Sequence, residues 1–258
     1  MSSILFTIEE NIAFITLNRP DKLNAFNREM ALLLQSTLDE CASLHEVRAI
    51  YLTGAGKGFS AGQDLAEVID PAGPGMKNIL SQYYNPIITR IRNMPKPVLA
   101  AVNGVAAGAG ANIALCCDIV VAAQGASFIQ AFSKIGLIPD SGGTWHLPRL
   151  IGWQKASAIS MLGDKISAAD AERMGMIYKV FTAEEFPAAS RALAGTLAKL
   201  PTRALALTKH ALNYSADNSL EAQLLLEDEL QQKAAATEDY REGVNAFMEK
   251  RPPEFKGK

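Results

Sequence analysis

Short apolar runs open the chain, and longer runs with helical spacing follow them. Residues 4–8 and 12–17 have the pattern of two strands, and residues 26–44 carry apolar positions at the spacing of an α-helix. This strand, strand, helix unit recurs loosely over residues 49–69 and again from Val98 onward. The pattern predicts an α/β fold with a layered sheet, wound as repeated β-β-α turns instead of strict β-α-β units.

From Trp153 onward the pattern is mainly helical. Ser167 lies three residues before Asp170, and Asn218 lies three residues before Glu221. This spacing is typical of the capping box that starts a helix. We therefore expect helices over most of the remaining chain.

The chain divides, on this pattern, into a core and a helical tail. Residues 1–195 are the predicted core with the ligand site, and residues 196–258 are a C-terminal helical region that packs around the core or a neighbouring subunit. A cluster of breaker residues at 71–75 has no composition shift beside it. It is therefore predicted to be a surface loop that serves as a lid near the ligand.

Composition and charge narrow the class of protein. With 258 residues the chain is long enough for one large α/β domain with a substantial core. Its 25 basic and 27 acidic side chains give a net charge of −2 without a basic block, which argues against nucleic acid or an anionic membrane as a partner. No signal pattern and no apolar run of roughly 18 residues is present. We expect a soluble, cytoplasmic protein.

The cysteines and histidines do not suggest metal or disulfide chemistry. Cys41, Cys116 and Cys117 have neither a metal-binding spacing nor an even number for disulfides, so we interpret them as reduced packing residues. The three histidines lie at no recognisable spacing from other ligand types. No metal site is expected.

Two glycine-rich loops are the most informative feature for function. Residues 58–65 and 103–112 follow the apolar, strand-like runs 49–53 and 97–102, and their small residues allow a ligand to approach the backbone. Residues 109–117 are helix-compatible, so their first N–H groups are unpaired donors at the positive end of a helix dipole. Such donors suit an oxyanion, and a pair aimed at one carbonyl oxygen stabilises enolates in acyl chemistry.

Two other interpretations of these loops arise from the residues alone. Gly108-Ala109-Gly110 after a strand also occurs in dinucleotide fingerprints, but the third glycine and the acidic residue about twenty positions on are missing. Simple tight packing of the loops stays open as the alternative to an oxyanion site.

Motifs along nearly the whole chain resemble, in order, those of the enoyl-CoA hydratase/isomerase (crotonase) family. They are Asn18-Arg19-Pro20 with Asn24-Ala25, Phe59-Ser60-Ala61-Gly62-Gln63-Asp64, Ala101-Val102-Asn103-Gly104 with Cys117-Asp118, Gly142-Gly143-Thr144 with Pro148-Arg149, and Tyr240-Arg241-Glu242-Gly243 with Phe247. The resemblance implies a crotonase-like spiral of β-β-α turns with a helical C-terminal trimerisation region, commonly in a dimer of trimers. It also implies an acyl-CoA substrate, in which coenzyme A is part of the substrate and no separate cofactor is needed.

The resemblance also assigns ligand contacts. The oxyanion amides fall on Gln63 and Ala109, in agreement with the glycine loops. The remaining contacts with the acyl-CoA fall on Lys22, Ala25, Ala61, Asp64, Leu65, Gly108 and Phe132. Lys250, with Phe247, is expected to reach the ligand of a neighbouring subunit.

The catalytic glutamates of hydratases are absent. Hydratases of this family use two glutamates to hold and activate water, and the corresponding positions here are Asn112 and Phe132. Because neither side chain accepts a proton at neutral pH, addition of water by two carboxylates is not supported.

Asp140 is the remaining carboxylate near the site. From the residues alone it fits a helix N-cap or a turn before a glycine pair. Family members that shift double bonds or dehalogenate aryl rings carry a functional carboxylate here, and partial burial beside Leu137 and Ile138 is expected to raise its pKa. The resemblance implies that Asp140 removes and returns a proton while the two amides stabilise a dienolate.

Within the family, residues 128–145 and two segments of the C-terminal tail look most like the ring-epoxide isomerases of phenylacetate degradation. Those enzymes convert 2-(1,2-epoxy-1,2-dihydrophenyl)acetyl-CoA to an oxepin and shift 3-enoyl to 2-enoyl thioesters. The acyl group is then expected against Phe132, with Tyr84 and Trp145 as further candidates. The alternatives are a straight-chain enoyl-CoA isomerase or hydratase, a dehalogenase-like lyase, or a non-catalytic binder of CoA esters or of a protein.

Overall fold

Strands and helices alternate along the chain in β-β-α order. The computed structural model describes residues 2–71 and 73–258. Its strands are β1 Ile4–Glu9, β2 Ile12–Leu17, β3 Ala49–Gly54, β4 Gly58–Ser60, β5 Val98–Val102, β6 Val105–Ala107, β7 Ile119–Ala123, β8 Ser127–Ile129, β9 Lys165–Ser167 and β10 Lys179–Phe181. Its helices are α1 Arg28–Ser43, α2 Leu65–Ile69, α3 Gly75–Asn78, α4 Asn85–Asn93, α5 Ala109–Leu115, α6 Gly143–Leu162, which is interrupted at Gly152, α7 Ala168–Arg173, α8 Phe186–Lys199, α9 Thr202–Tyr214, α10 Leu220–Ala235 and α11 Glu238–Glu249.

The strands form two sheets. The larger has the order β1-β2-β3-β5-β7-β10, and the smaller has the order β4-β6-β8-β9. The strands from β2 to β7 in the large sheet and from β4 to β8 in the small one pair in parallel. The pairs β3/β4, β5/β6 and β7/β8 each contribute one strand to either sheet. This arrangement is the predicted spiral of β-β-α turns.

The central strands of the large sheet, β2, β3, β5 and β7, are buried on both faces, as their nearly continuous apolar sequences require. In β3, Ile50 and Leu52 face the main core, in which α1 and α4 pack. Ala49 and Tyr51 face a second apolar cluster under α8, where the Tyr51 hydroxyl lies 2.9 Å from Ser190 Oγ. The sheet thereby forms a rigid base from which the loops of the small sheet project.

The glycine-rich loops contain strands that the sequence pattern does not predict. Gly58–Ser60 and Val105–Ala107 are β4 and β6 of the small sheet. Three-residue strands of mostly small residues carry too little alternation to be recognised. The loops that remain, after β4 and β6, are therefore shorter than predicted.

The predicted helical second half is also interrupted by strands. Residues 165–167 and 179–181 form β9 and β10 at the edges of the two sheets. Both are short and partly exposed, so they give no clear strand signal. The Ser167 cap is confirmed, because its hydroxyl accepts the Asp170 N–H at 3.1 Å. The cap at Asn218 is wrong by one residue, since Ser219 accepts the N–H of Ala222.

The C-terminal region is attached to the core by polar contacts. Helix α8 runs across the predicted boundary between residues 195 and 196, and the division into two units stays a prediction. The Arg48 guanidinium donates to the carbonyls of Leu200 at 2.7 Å and Phe255 at 2.6 Å. It also donates to Thr202 Oγ1 at 3.0 Å. One core residue therefore holds both the start of α9 and the tail.

The breaker segment at residues 71–75 is largely a surface turn, as predicted. Gly73 N donates to Asp70 O at 2.8 Å, and α3 begins at Gly75. Ala72 lies outside the described residues. The lid role of this segment stays a prediction.

The cysteines are packing residues. All three are buried and free, and burial raises the pKa of the Cys41 thiol to about 12. In the part of the chain that the structure describes, no group of three His, Cys, Asp or Glu side chains is arranged to hold a metal ion. None of the described helices is long and apolar enough to cross a membrane.

Two helical glycines provide a test of the packing between α5 and β4. A Cβ on Gly110 would lie 2.6 Å from Ser60 O, whereas a Cβ on Gly195 in α8 meets no atom within 4 Å. We expect Gly110→Ala to lower the free energy of unfolding by about 1–3 kcal/mol through overpacking. Gly195→Ala should raise it by about 0.5–1 kcal/mol through helix propensity. Urea denaturation followed by circular dichroism measures both, and a stabilised Gly110→Ala variant would contradict the packing described.

Candidate active site

The loops that follow β4, β6 and β8 meet at one edge of the small sheet. Because these strands are parallel, their carboxyl ends lie side by side. The loops carry Gln63, Ala109 and Phe132 respectively. Gly108 N donates to Ile129 O at 2.8 Å and ties the second loop to the third. The topology thus brings together residues that are up to about 70 positions apart in sequence.

The main chain at Gln63 has a fixed direction. Gln63 forms a parallel bridge with Phe26, in which Phe26 N donates to Gly62 O at 2.7 Å and Asp64 N donates to Phe26 O at 2.8 Å. In such a bridge the N–H of the central residue points to the opposite side. Within the described residues the Gln63 N–H has no acceptor.

The main chain at Ala109 offers a second donor. Helix α5 begins there, after Gly108 with φ 52° and ψ −128°, a conformation that glycine adopts without strain. The first hydrogen bond of the helix is from Asn112 N to Gly108 O, so the Ala109 N–H precedes the bonded turns. It has no acceptor in the described chain and lies at the positive end of the helix dipole.

The two donors are held close together by a glycine contact. Gly62 has φ 88°, and a Cβ built on it would lie 2.8 Å from Ala107 O and 3.4 Å from Ala109 N. The loop after β4 therefore lies directly against the start of α5. This contact brings the loop that carries Gln63 next to the Ala109 N–H, as an oxyanion site would require.

Asp140 lies in a tight turn before α6. Ser141 and Gly142, with φ 51° and 75°, follow it in the left-handed conformation. The Ser141 hydroxyl donates to Asp140 Oδ1 at 2.8 Å, whereas the Asp140 carbonyl accepts from Gly143 N and Asn112 Nδ2, both at 2.8 Å. The residue that caps α6 is Gly142, without a side-chain bond. The Asp140 carboxylate is therefore not a helix cap, and its Oδ2 bonds to no other described residue.

Burial raises the pKa of Asp140, as predicted, and the Ser141 hydrogen bond opposes this effect. Leu137 and Ile138, which were expected to cover it, are 38% and 78% exposed. Asn112, which contacts the Asp140 carbonyl, is 1% exposed.

Asn112 and Phe132, at the positions of the hydratase glutamates, have other tasks. The Asn112 Oδ1 accepts from Gln130 Nε2 at 2.8 Å, and its Nδ2 supports the turn at Asp140. Both polar atoms of Asn112 are thus used within the protein. Phe132 is buried, and its ring lies 3.7 Å from the position of a Cβ on Gly108. It forms an apolar wall beside the second amide.

Arg19 was not predicted as a site residue, although it lies in the first family motif. Its guanidinium forms an ion pair with Asp64, in which Nη2 lies 2.8 Å from Oδ2, and it also donates to Ala25 O. Burial acts to raise the pKa of Asp64, but the hydrogen bonds from Arg19 and from the Ala66 N–H, with the charge of Arg19, outweigh it, so the pKa is lowered. Since Asp64 Oδ1 also accepts from Ala66 N at 3.2 Å, this carboxylate fixes the loop, and its contact with a ligand stays a prediction.

The other predicted contact residues differ in accessibility. Lys22 and Leu65 are exposed beside the loops, whereas Ala25 is buried and Ala61 is partly buried. Lys250 is exposed at the end of α11, and no hydrogen bond joins it to these loops in the described chain. The roles of all these residues, with those of Gln63, Ala109, Asp140, Gly108 and Phe132, stay predictions.

The aromatic candidates Tyr84 and Trp145 lie in different places. Tyr84 is buried, with its hydroxyl 2.8 Å from Gln63 Oε1. The guanidinium carbon of Arg149 lies 3.9 Å from the centroid of the Trp145 ring. Trp145 also lines a cavity of about 590 Å³ between α4, α6, α9 and α10. That cavity adjoins the turn after Asp140 at Gly142 but contains neither amide donor. The Asn112 side chain instead ties the Asp140 turn to α5, the helix that begins at Ala109.

Comparisons with known proteins identify the family and the fold of the chain. The family described as enoyl-CoA hydratase/isomerase matches residues 7–258. The chain is 48% identical to the 1,2-epoxyphenylacetyl-CoA isomerase of Escherichia coli K12, with 100% of both chains covered. It is 35% identical to the 2,3-dehydroadipyl-CoA hydratase of the same organism, again over 100% of both chains. The crystal structure of an enoyl-CoA hydratase from Polaromonas sp. JS666 has a TM-score of 0.90 at 34% identity, covering 98% of this chain and 99% of that one.

Titration of Asp140 tests the electrostatics of the turn. Burial disfavours the carboxylate, so its pKa should exceed the ordinary value of about 4. Ser141→Ala removes a donor to the charged form and should raise the pKa further. Carbon-13 NMR titration measures both values, with Asp140→Asn to assign the signal and Ser36→Ala as a control on an exposed helix. A lower pKa in Ser141→Ala would contradict this account.

Proposed function

Because this chain belongs to the enoyl-CoA hydratase/isomerase family, we propose that it isomerises acyl-CoA thioesters by means of one carboxylate and two backbone amides. Three observations support the proposal: the Gln63 and Ala109 amides are unpaired beside one close contact, Asn112 of α5 holds the turn of Asp140, and burial raises the pKa of Asp140. Asn112 and Phe132 supply no second carboxylate. A single base moves a proton between carbons without activating water.

The proposed reaction begins with polarisation of the thioester. Its carbonyl oxygen accepts hydrogen bonds from Gln63 N and Ala109 N, which makes the protons on C2 more acidic. Asp140 Oδ2 removes a C2 proton, and the electron pair of that C–H bond moves into a dienolate with its charge on the oxygen. The same carboxyl returns the proton to C4, so a 3-enoyl thioester becomes a 2-enoyl thioester. No atom is gained or lost.

The proposed physiological substrate is 2-(1,2-epoxy-1,2-dihydrophenyl)acetyl-CoA, which would be converted to oxepin-CoA in phenylacetate catabolism. Full-length similarity to a protein with the name 1,2-epoxyphenylacetyl-CoA isomerase supports this choice. Phe132 offers an aromatic acyl group an apolar wall next to the Ala109 amide. The hydroxyl of Ser141 leaves one carboxylate oxygen of Asp140 for proton transfer.

Exposed apolar side chains border the proposed acyl site. They lie on the segment after Gln63 and on the segment before Asp140, and they are Leu65, Val68, Ile69, Met76, Ile135, Leu137 and Ile138. Apolar surface of this extent is usually covered by a ligand or another chain. We assign it to the acyl and pantetheine parts of the substrate.

A further apolar surface supports a trimer, or a dimer of trimers, as the proposed assembly. It lies on α9, α10 and α11 and comprises Leu212, Leu220, Leu224, Leu225, Phe247 and Met248. In this assembly Lys250 and Phe247 would reach the coenzyme A of a neighbouring subunit. Without a partner subunit, these helices would expose large apolar side chains to water.

The carboxylate is tested by Asp140→Asn. We expect kcat for the shift of 3-enoyl-CoA to 2-enoyl-CoA to fall by about 10²- to 10⁴-fold, because general acid/base catalysis is lost. Asp164→Asn, an exposed carboxylate at the end of α6, is the control. Hydration of crotonyl-CoA should be slow in all variants. Strong hydration that survives Asp140→Asn would show that another residue activates water and that the assignment is wrong.

The acyl group is tested with the same wild-type protein. Ring-epoxide phenylacetyl-CoA, generated enzymatically, should yield oxepin-CoA. Chromatography with absorbance detection measures the substrate consumed and the product formed. Turnover of straight-chain 3-enoyl-CoA alone would favour the straight-chain isomerase instead.

The assembly is tested by light scattering after size exclusion. The wild type should have three or six times the 27.7 kDa mass of the chain. Leu225→Asp places a charge on the apolar surface and should release monomers, whereas a wild type of 27.7 kDa would contradict the proposed trimer.

A further inference from the structure

A π-helix brings Tyr84 to the candidate site. Residues Ile79–Tyr84 form this element between α3 and α4. π-Helices are rare, and where they occur they are frequently at functional sites. The Gln35 side chain from α1 supports the widened backbone by donating to the carbonyls of Gln82 at 2.7 Å and Tyr83 at 3.2 Å. This uncommon helical conformation ends at Tyr84, whose hydroxyl contacts the Gln63 side chain.

The Tyr84 hydroxyl is the first group in a series of hydrogen bonds that holds both polar atoms of the Gln63 side chain. The Tyr84 hydroxyl donates to Gln63 Oε1 at 2.8 Å, and Gln63 Nε2 donates to Glu67 Oε2 at 2.8 Å. Glu67 Oε1 in turn accepts the N–H of Arg28, in the first turn of α1, at 3.0 Å. The Tyr84 ring is itself fixed edge-on against Phe26, with centroids 5.9 Å apart. Phe26 is the residue that bridges the Gln63 main chain.

The direction of this chain of hydrogen bonds is determined by chemistry. Glu67 as a carboxylate only accepts, so it takes the Gln63 amide NH₂ and leaves the amide oxygen for Tyr84. Burial, followed by the negative charges of Asp140 and other nearby carboxylates, raises the pKa of Tyr84 well above its ordinary range. The hydroxyl therefore keeps its proton and remains a donor at working pH.

We propose that Tyr84 is a positioning residue of the acyl-CoA site, which acts through the Gln63 side chain to keep the Gln63 amide aimed at the thioester oxygen. The inference rests on the proposed function, since it assigns a task to one of its two oxyanion donors. The physical reason is preorganisation, because a donor stabilises an oxyanion only if it is already in place when the charge forms. Phe26 holds the peptides on either side of Gln63, and Tyr84 with Glu67 holds its side chain.

Tyr84→Phe removes the hydroxyl and keeps the ring against Phe26. We expect kcat for the 3-enoyl to 2-enoyl shift to fall about tenfold, less than the 10²- to 10³-fold loss that follows removal of a whole oxyanion donor. KM should stay within about twofold, because the contacts with the bound substrate are kept. Tyr83→Phe is the matched control, since Tyr83 is equally buried in the same π-helix and its hydroxyl bonds to no other described residue. Equal thermal stability of the two variants would exclude a general loss of folding.

A double-mutant cycle tests the route through Gln63. Gln63→Leu keeps the main-chain N–H but removes the acceptor of the Tyr84 hydroxyl. If Tyr84 acts through this side chain, Tyr84→Phe should have no further effect on kcat in the Gln63→Leu background. An unchanged kcat in Tyr84→Phe alone, or the same tenfold loss in both backgrounds, would overturn the inference.

A spectroscopic measurement separates this inference from the proposed reaction. Cinnamoyl-CoA has a conjugated thioester, and its absorption moves to longer wavelength when hydrogen bonds polarise the carbonyl. The wild type, Tyr83→Phe and Asp140→Asn should give the same shift on binding, and Tyr84→Phe a smaller one. If the wild type gives a Tyr84-dependent shift but no isomerisation, the positioning role stands and the proposed reaction fails. A shift that is absent in the wild type, or unchanged in Tyr84→Phe, would contradict the positioning role.

Discussion

The close approach of the loop after β4 to the start of α5 is the contact on which the site depends. Gly62 and Gly110 allow it, because a Cβ on either would lie within 2.8 Å of main-chain oxygen. The contact is made between loops of parallel neighbouring strands, so the small sheet sets its position. With the backbones this close, the N–H groups of Gln63 and Ala109 lie near the same contact, and neither has an acceptor in the described chain.

Around this contact the protein uses its polar side chains mainly as supports. Asn112, held by Gln130, supports the turn of Asp140, and Arg19 pairs with Asp64 on the other side. Both polar atoms of Asn112 and both carboxylate oxygens of Asp64 have partners within the chain, so neither side chain competes with a ligand for the two amides. One carboxylate oxygen of Asp140 is left without a partner in the described chain. The proposed chemistry is proton transfer at a carbon next to a thioester.

Much of this arrangement is predictable from sequence, but the distant contacts are not. The glycine-rich loops and the start of α5 follow from local composition, the order of the motifs indicates the fold, and the family resemblance predicts the raised pKa of Asp140. β4 and β6 were missed because three residues carry too little periodicity. The sequence suggests Tyr84 only as a wall of the acyl site, because no local pattern indicates a π-helix or a hydrogen bond to a residue 21 positions away.

The most direct measurement of the central claim is the exchange of the C2 protons of phenylacetyl-CoA in D₂O, followed by NMR. This ligand has an acidic C–H next to the thioester but no double bond to shift, so exchange reports only polarisation by the amides and proton removal by the base. The account predicts exchange well above background in the wild type and at least a hundredfold slower exchange in Asp140→Asn. Background exchange in the wild type, or exchange that is unaffected by the substitution, would contradict it.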